Sequence, residues 1–350
     1  MRRVTAAAMI GATALLAAAC SSSSSTSASS GTTAAASTSS GGSAPVTVRL
    51  GFLTNITHAS ALVGLKEGFF TKALGSAGTL KPTDFSTGTQ ETTALLAGQL
   101  DAAYVGPNPA INAWQKSSGS AIKIISGAAT GGASVVVSKG ITSAAQLKGK
   151  TLATPSLGNT QDVALRYWLK QNGVTTTTTG GGDAFIKPTT PNSAAVLEFK
   201  SGQIAGGSEP APYDIEKVSD GGTVLLSETG VTTLLVVTQS FLAAHPAVVA
   251  DLLKAQIQAN AFIKSSPAAA QADANAELGS YTGKPLKPSI VAAAFKEITF
   301  TNNPDASSLT SDASQAVSLG LLKPVNLSGI FDLGPLNTAL AAAGESQVGS

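Results

Sequence analysis

Strand-like and helix-like segments alternate from Val46 to about Gly132, the alternation restarts, and after Thr238 helices take over. This order narrows the fold more than any other feature, because such alternation builds a sheet with helices on its faces. VTVRLGFL (46–53) alternates apolar and polar residues, then turns continuously apolar, as a strand does on entering a buried sheet. ASALVGLKEG reads as a short helix stopped by Gly68, and QETTALLAG as a second helix ending at Gly98. Ala102 to Val105 is a short strand. PNPAINAWQK follows as a helix, with Asn108 the expected N-cap and Pro109 in its first turn. AIKIIS and ASVVVS are two more strands.

In the second run, TSAAQLKG is a short helix and KTLATP a strand. NTQDVALRYWLKQNG is a strongly periodic helix whose apolar members Val163, Leu165, Trp168 and Leu169 face a core. TTTTTGGGD is a loop, NSAAVLEFKSG a helix ended by Gly202, and QIAGGS, GTVLLS and TTLLVVT are strands. The remainder is helical, with a break at Pro246. Two α/β runs and a helical tail predict an α/β protein of two lobes: 46–132 plus 232–350 form lobe one, and 133–231 form lobe two. The crossings fall near Gly127 to Ala133 and Val231 to Thr238, where two connecting strands make a hinge.

Before Val46 the chain changes character. Arg2 and Arg3 precede a nearly uncharged apolar run from Ala6 to Ala19, too short to span a bilayer comfortably, that stops at LLAAAC. Ser21 to Pro45 carries no charge and little to bury, so it reads as a flexible tether with a reach of roughly 25–30 Å. Cys20 is the only cysteine, so core burial rather than a disulfide has to hold the mature fold. With 43% hydrophobic and 12% charged residues, apolar material for large cores is ample. The net charge is +2 and no basic stripe exists, which disfavours nucleic acid as a partner.

The N-terminus resembles a bacterial lipoprotein signal, which implies a signal peptide over 1–20, lipidation of Cys20, and an extracytoplasmic body anchored to the cell membrane. Four further stretches, in order, carry a second resemblance: VRLGFLTNITHASALVGLKEGFF, LLAGQLDAAYVGPNPAINAW, LKGKTLATPSLGNTQDVALRYWLKQNG and TTLLVVTQSFLAAHPAVVADLLKAQ. They resemble the nitrate/taurine/aliphatic-sulfonate family of ABC-transporter substrate-binding lipoproteins. That likeness implies the two-lobed type II periplasmic-binding-protein fold, with a hinge and an interlobe cleft. It implies capture of a small anionic ligand, foremost an aliphatic sulfonate, for an ABC permease and its ATPase subunits by a monomer. Nitrate, taurine and thiamine-precursor pyrimidines stay open as ligands.

The chemistry of such a cleft has a basis in the residues. A helix N-terminus presents unsatisfied N–H groups and a partial positive charge, so it holds an anion without an arginine. Three polar or glycine-containing turns precede helices: 54–60, 104–110 and 156–162. In open α/β sheets such turns lie at the carboxyl ends of strands, where ligands bind. Thr57, His58 and Ser60 in the first, Gly106 and Asn108 in the second, and Gly158, Asn159 and Thr160 in the third are candidate ligand contacts or plain helix caps. Gln90, Tyr104, Trp114 and Tyr213 are candidate walls. In SEPAPYD, Glu209 is a candidate partner for a ligand amine, and Ala211 stands where the family often has an aromatic.

Enzyme signatures are few. The two histidines, His58 and His245, form no metal-ligand spacing, and neither a nucleophile elbow nor a P-loop is present. No metal or cofactor is expected. An enzyme built on the same fold, or a ligand-sensing partner of a membrane receptor, are the rival readings.

Overall fold

The computed structural model describes residues 44–349. The signal segment, Cys20 and all of the tether but Ala44 and Pro45 lie outside the described residues. In chain order the strands are β1 (Val46–Leu53), β2 (Gly78–Phe85), β3 (Ala102–Val105), β4 (Ile122–Gly131), β5 (Ala133–Val137), β6 (Thr151–Thr154), β7 (Phe185–Pro188), β8 (Gly206–Pro210), β9 (Thr223–Ser227), β10 (Val231–Thr238) and β11 (Ile298–Phe300). The helices are α1 (Ala59–Lys66), α2 (Phe69–Leu74), α3 (Gly88–Leu96), α4 (Pro107–Lys116), α5 (Thr160–Gln171), α6 (Asn192–Lys200), α7 (Tyr213–Ser219), α8 (Gln239–Ala244), α9 (Pro246–Ser265), α10 (Pro267–Thr282), α11 (Pro288–Glu297), α12 (Ala306–Ser318) and α13 (Gly334–Ala342).

Two sheets share one plan. The first runs β11-β4-β10-β3-β1-β2 and the second β7-β6-β8-β5-β9. In the first, β1 pairs parallel with both β2 and β3, and β10 runs antiparallel against β3 and β4. In the second, β6 pairs parallel with β7 and β8, and β5 runs antiparallel against β8 and β9. The chain changes sheet between Gly131 and Ala133 and returns between Ser227 and Val231, so all of Val231 to Thr238 belongs to the first sheet.

Gly131 and Gly132 make the first change of sheet, at φ of 70° and 75°. That left-handed conformation favours glycine. Space enforces the choice, since a Cβ on Gly132 would lie 2.3 Å from Ile298 Cγ1 and one on Gly131 2.5 Å from the Glu297 carbonyl oxygen.

Each sheet is covered on both faces. The largest core packs β1 and β10 residues such as Leu50, Phe52 and Leu235 against α1, α9 and α10, through Leu62, Leu252 and Leu278. The opposite face gathers Ile111, Trp114 and Leu309, and reaches Val163 of α5. Leu165 and Leu169 pack with Leu152 and Val135 in the second sheet, with Trp168 half-buried at their edge.

Three strands lack a signal in the sequence, and all are edge strands. β2 (GTLKPTDF) and β11 border the first sheet, and β7 (FIKP) borders the second. Edge strands tolerate proline and exposed polar residues, as at Pro82 and Pro188, so the alternation that marks a central strand fades. QIAGGS is displaced: the strand there starts at Gly206, and it is followed by α7, a helix without a signal in the sequence. Among the described residues, no helix is long and apolar enough to cross a membrane.

Candidate functional site

The turns after β1, β2, β3, β6 and β7, together with the end of β8, converge on one cavity of about 380 Å³, its opening included. These are all the parallel-paired strands of both sheets, so the cavity lies at their carboxyl ends, where an open α/β sheet binds its ligand. From the first sheet come Asn55, Thr57, His58, Thr87, Gly88 and Gly106; from the second come Pro155, Asn159, Thr160, Gln161, Asn192 and Pro210. No aspartate, glutamate, lysine or arginine lines it.

The donors are helix N-termini. In α5 the side chain of Asn159 caps the helix, its Oδ1 accepting the Asp162 N–H over 2.9 Å. Thr160 and Gln161 then hold the first two helical N–H groups, which have no intrahelical partner by position. Thr87 caps α3 in the same way by accepting from Gln90 N–H, which leaves the N–H groups of Gly88 and Thr89. α6 begins at Asn192, whose N–H and that of Ser193 are likewise outside the helical ladder. Three helix starts thus add partial positive charge around one space.

His58 supplies a different donor. Its Nδ1 accepts the Leu53 N–H over 3.2 Å, so Nε2 carries the proton. The ring is buried, which pushes its pKa down to about 3 and keeps it neutral. Nδ1 as an acceptor is the reverse of a catalytic triad, in which Nδ1–H donates to a carboxylate.

The α5 turn is held from beneath by a buried ion pair. Asp162 and Arg166 are 0% and 2% exposed and meet at 2.9 Å. The same carboxylate accepts from Thr154 Oγ1 at 3.0 Å and from the Gly158 N–H at 2.9 Å. It therefore fixes residues 154–158 relative to α5. Gly158, at φ 72°, acts within this turn and does not line the cavity.

Other expected contacts are also placed elsewhere. Ser60 is fully buried and donates to Asn260 Oδ1 at 2.6 Å, in the polar interior of the first sheet. Gln90 is exposed and outside the lining. Asn108 is not the cap of α4. Gly106 is, because Pro107 occupies the first helical position, and the Asn108 amide donates to the Asp312 carbonyl on α12. Pro107 and Pro109 also remove two N–H groups from that helix start, so it offers an anion less than α3 or α5 does. Tyr104 donates to Gln256 and Trp114 to the Asn326 carbonyl, both within the core. Glu209 is ion-paired with Lys217, and both are 0% exposed. Burial raises the Glu209 pKa while Lys217 opposes the rise, and no free carboxylate faces the cavity.

Thr57, His58, Gly106, Asn159 and Thr160 are brought together at the cavity. Thr57 spends its hydroxyl on Asn55 Oδ1 at 2.7 Å. The two halves touch across the cleft: Ile56 N–H donates to the Ala211 carbonyl at 2.8 Å, Tyr213 Oη donates to the Thr54 carbonyl at 2.9 Å, and Thr89 Oγ1 meets Ser156 Oγ at 3.1 Å.

Residues 41–278 match the model of the NMT1-like family. The chain belongs to this family. Sequence comparison with curated proteins gives no match. Among solved structures, this NMT1-like chain is similar to the nitrate-binding protein NrtA from Synechocystis PCC 6803, with a TM-score of 0.72 and 15% identity over 85% of this chain and 89% of that one. It is similar to the alkanesulfonate-binding protein SsuA from Xanthomonas axonopodis pv. citri, bound to MOPS, with a TM-score of 0.69 and 17% identity over 83% and 100%. A Candida albicans protein described as having the generic periplasmic binding protein fold matches at a TM-score of 0.61 and 11% identity over 87% and 96%. At such identities the likeness is one of fold: the chain has the periplasmic-binding-protein architecture that the resemblance implied.

Proposed function

We propose that this protein is the extracytoplasmic solute-binding component of an ABC importer, and that its cavity captures a small monoanion, foremost an aliphatic sulfonate. One observation carries the reading. Three helix N-termini and the neutral Nε2–H of His58 converge on a space with no charged side chain. Such a site stabilises one negative charge with dipoles, while a dianion would lose far more hydration than those dipoles return. The sulfonate and nitrate ligands in the names of SsuA and NrtA fit this chemistry.

In this proposal, 46–130 with 231–350 is one jaw and 133–227 the other, hinged at Gly131–Gly132 and at 228–230. Thr57, His58 and Gly106 face Asn159 and Thr160 across the cleft. The ligand draws the jaws together only by its extra affinity for the closed form. Lipidation at Cys20 holds the monomeric body near its permease and ATPase.

The test is calorimetric titration with ethanesulfonate, taurine, nitrate, sulfate and a thiamine-pathway aminopyrimidine. The proposal expects a monoanion to bind and sulfate to bind at least tenfold more weakly. Tight binding of the pyrimidine alone, or of sulfate, overturns it.

A further inference from the structure

Glu228 lies where the chain returns to the first sheet, and it lines a second crevice between the jaws. α5 contributes one wall of that crevice and α12 another, and Thr160 borders both it and the anion cavity. Glu228 is tied to the 133–227 jaw: its Oε1 accepts from Ser208 Oγ on β8 at 3.0 Å, and its N–H donates to the Ala133 carbonyl at 2.9 Å. α12 is tied to the other jaw. There Ser308 Oγ accepts the Val231 N–H at 2.9 Å, and the Asp312 carbonyl accepts from the Asn108 amide of α4 at 3.3 Å. The hinge at 228–230 thus separates two carboxylates, Glu228 and Asp312, that face one crevice.

No lysine, arginine or histidine lines this crevice. Asp312 Oδ2 is buried with no hydrogen-bond partner among the described residues. The other titratable groups there are Asp305 of α12, which caps its helix by accepting the Ser308 N–H at 3.1 Å, and the Tyr167 phenol of α5. On β8, Glu209 follows Ser208 but is paired with Lys217, and β5 meets this end of β9 with Ser134 alone. The Glu297 carboxylate of α11 acts on Asp214 instead. Burial raises the Glu228 carboxyl to about 7 against the opposing Ser208 bond. Burial raises Asp312 well above the carboxylate range, and Glu228 and Asp305 add to the rise. Two carboxylates in a space without a cation favour holding a proton. Opening the jaws admits water between them, which returns each toward its ordinary value.

Resting on the jaw-closure reading above, we propose that Glu228 and Asp312 form a proton-coupled latch: closing takes up a proton at this crevice, opening releases it, and anion affinity therefore rises as pH falls. The sign follows from the closed form binding the proton more tightly than the open form. The gain is complete below the ordinary value of 4.5 and is lost as pH rises through 7.

The test is calorimetric titration of the full chain with ethanesulfonate and with nitrate, which stay monoanions from pH 8 to pH 6. Over that range the wild-type dissociation constant should fall at least about tenfold. Glu228→Gln is neutral at every pH and does not line the anion cavity. It should bind at pH 8 at least as tightly as the wild type does at pH 6, a gain of affinity that a damaged fold would not give. Glu228→Gln with Asp312→Asn should vary by less than about twofold between the two pH values. A wild-type affinity that is flat from pH 8 to pH 6, or a slope that survives in the double variant, overturns the latch and leaves the anion site standing. Failure of both anions to bind at any pH overturns the anion reading itself, and this inference with it.

Discussion

The backbone N–H of Leu53 donates to Nδ1 of His58 over 3.2 Å, and this bond decides what the buried imidazole offers to a ligand. Nδ1 is occupied as an acceptor, so Nε2–H is the free donor. Because the folded pKa is about 3 against an ordinary value of 6.5, the folded chain refuses a proton that the unfolded chain accepts between those limits. The stability contributed by neutral His58 is present above pH 6.5. It is lost as pH falls toward 3, at about 1.4 kcal/mol per pH unit. His58→Asn retains an acceptor near Leu53 but loses the Nε2–H. Its thermal midpoint should fall less steeply than the wild type's between pH 6 and pH 4, and its anion affinity at pH 7 should drop about tenfold.

Asn159 serves the fold and the site together. Its Oδ1 caps α5 and its Nδ2 donates to Gln161 Oε1 at 3.0 Å. Asn159→Ala should therefore cost about 1 kcal/mol of stability in the empty protein as well as weakening anion binding. Chemical denaturation of the apo protein beside a binding titration measures the two effects. An unchanged denaturation midpoint would contradict the capping role.

Arg166→Met leaves Asp162 charged and buried without its partner. The expected loss is about 3–5 kcal/mol in urea unfolding, with loss of ligand binding because the 154–158 turn depends on the same carboxylate. Asp162→Asn with Arg166→Met should be less destabilised than Arg166→Met alone, since the isolated charge is gone.

Glu209 and Lys217 give a parallel test with a different binding outcome. Lys217→Met alone should cost about 3–5 kcal/mol, and adding Glu209→Gln should recover much of it. The double variant should bind ethanesulfonate within about threefold of wild type, because neither side chain lines the cavity. A loss beyond tenfold would return Glu209 to the ligand.

The central strands, the α5 cap and the third polar turn were legible because each rests on local chemistry: alternation for β1 and β10, an Asn before a periodic helix for α5. Two of the five turns around the cavity were not. Thr87 and Gly88 follow β2, and Asn192 follows β7, two edge strands whose sequences carry prolines and exposed polar residues. With those strands unread, the turns after them did not look like strand ends. A turn of the form Ser-Thr-Gly before α3 carries the same signature as the one before α5, and a parallel edge strand placed ahead of it would have pointed to the site. Glu209 differs: its partner Lys217 lies on α7, a helix with no signal in the sequence, so nothing local marks the ion pair. The same holds for Ser60, whose partner Asn260 lies two hundred residues away.

The most direct test is a crystal structure of the protein with ethanesulfonate or nitrate bound. The account predicts anion oxygens about 2.7–3.2 Å from His58 Nε2 and from the N–H groups of Thr160 and Gln161, in the closed cleft and without a lysine or arginine in contact. An anion held by charged side chains, or seated outside the space between Thr57 and Thr160, would contradict it.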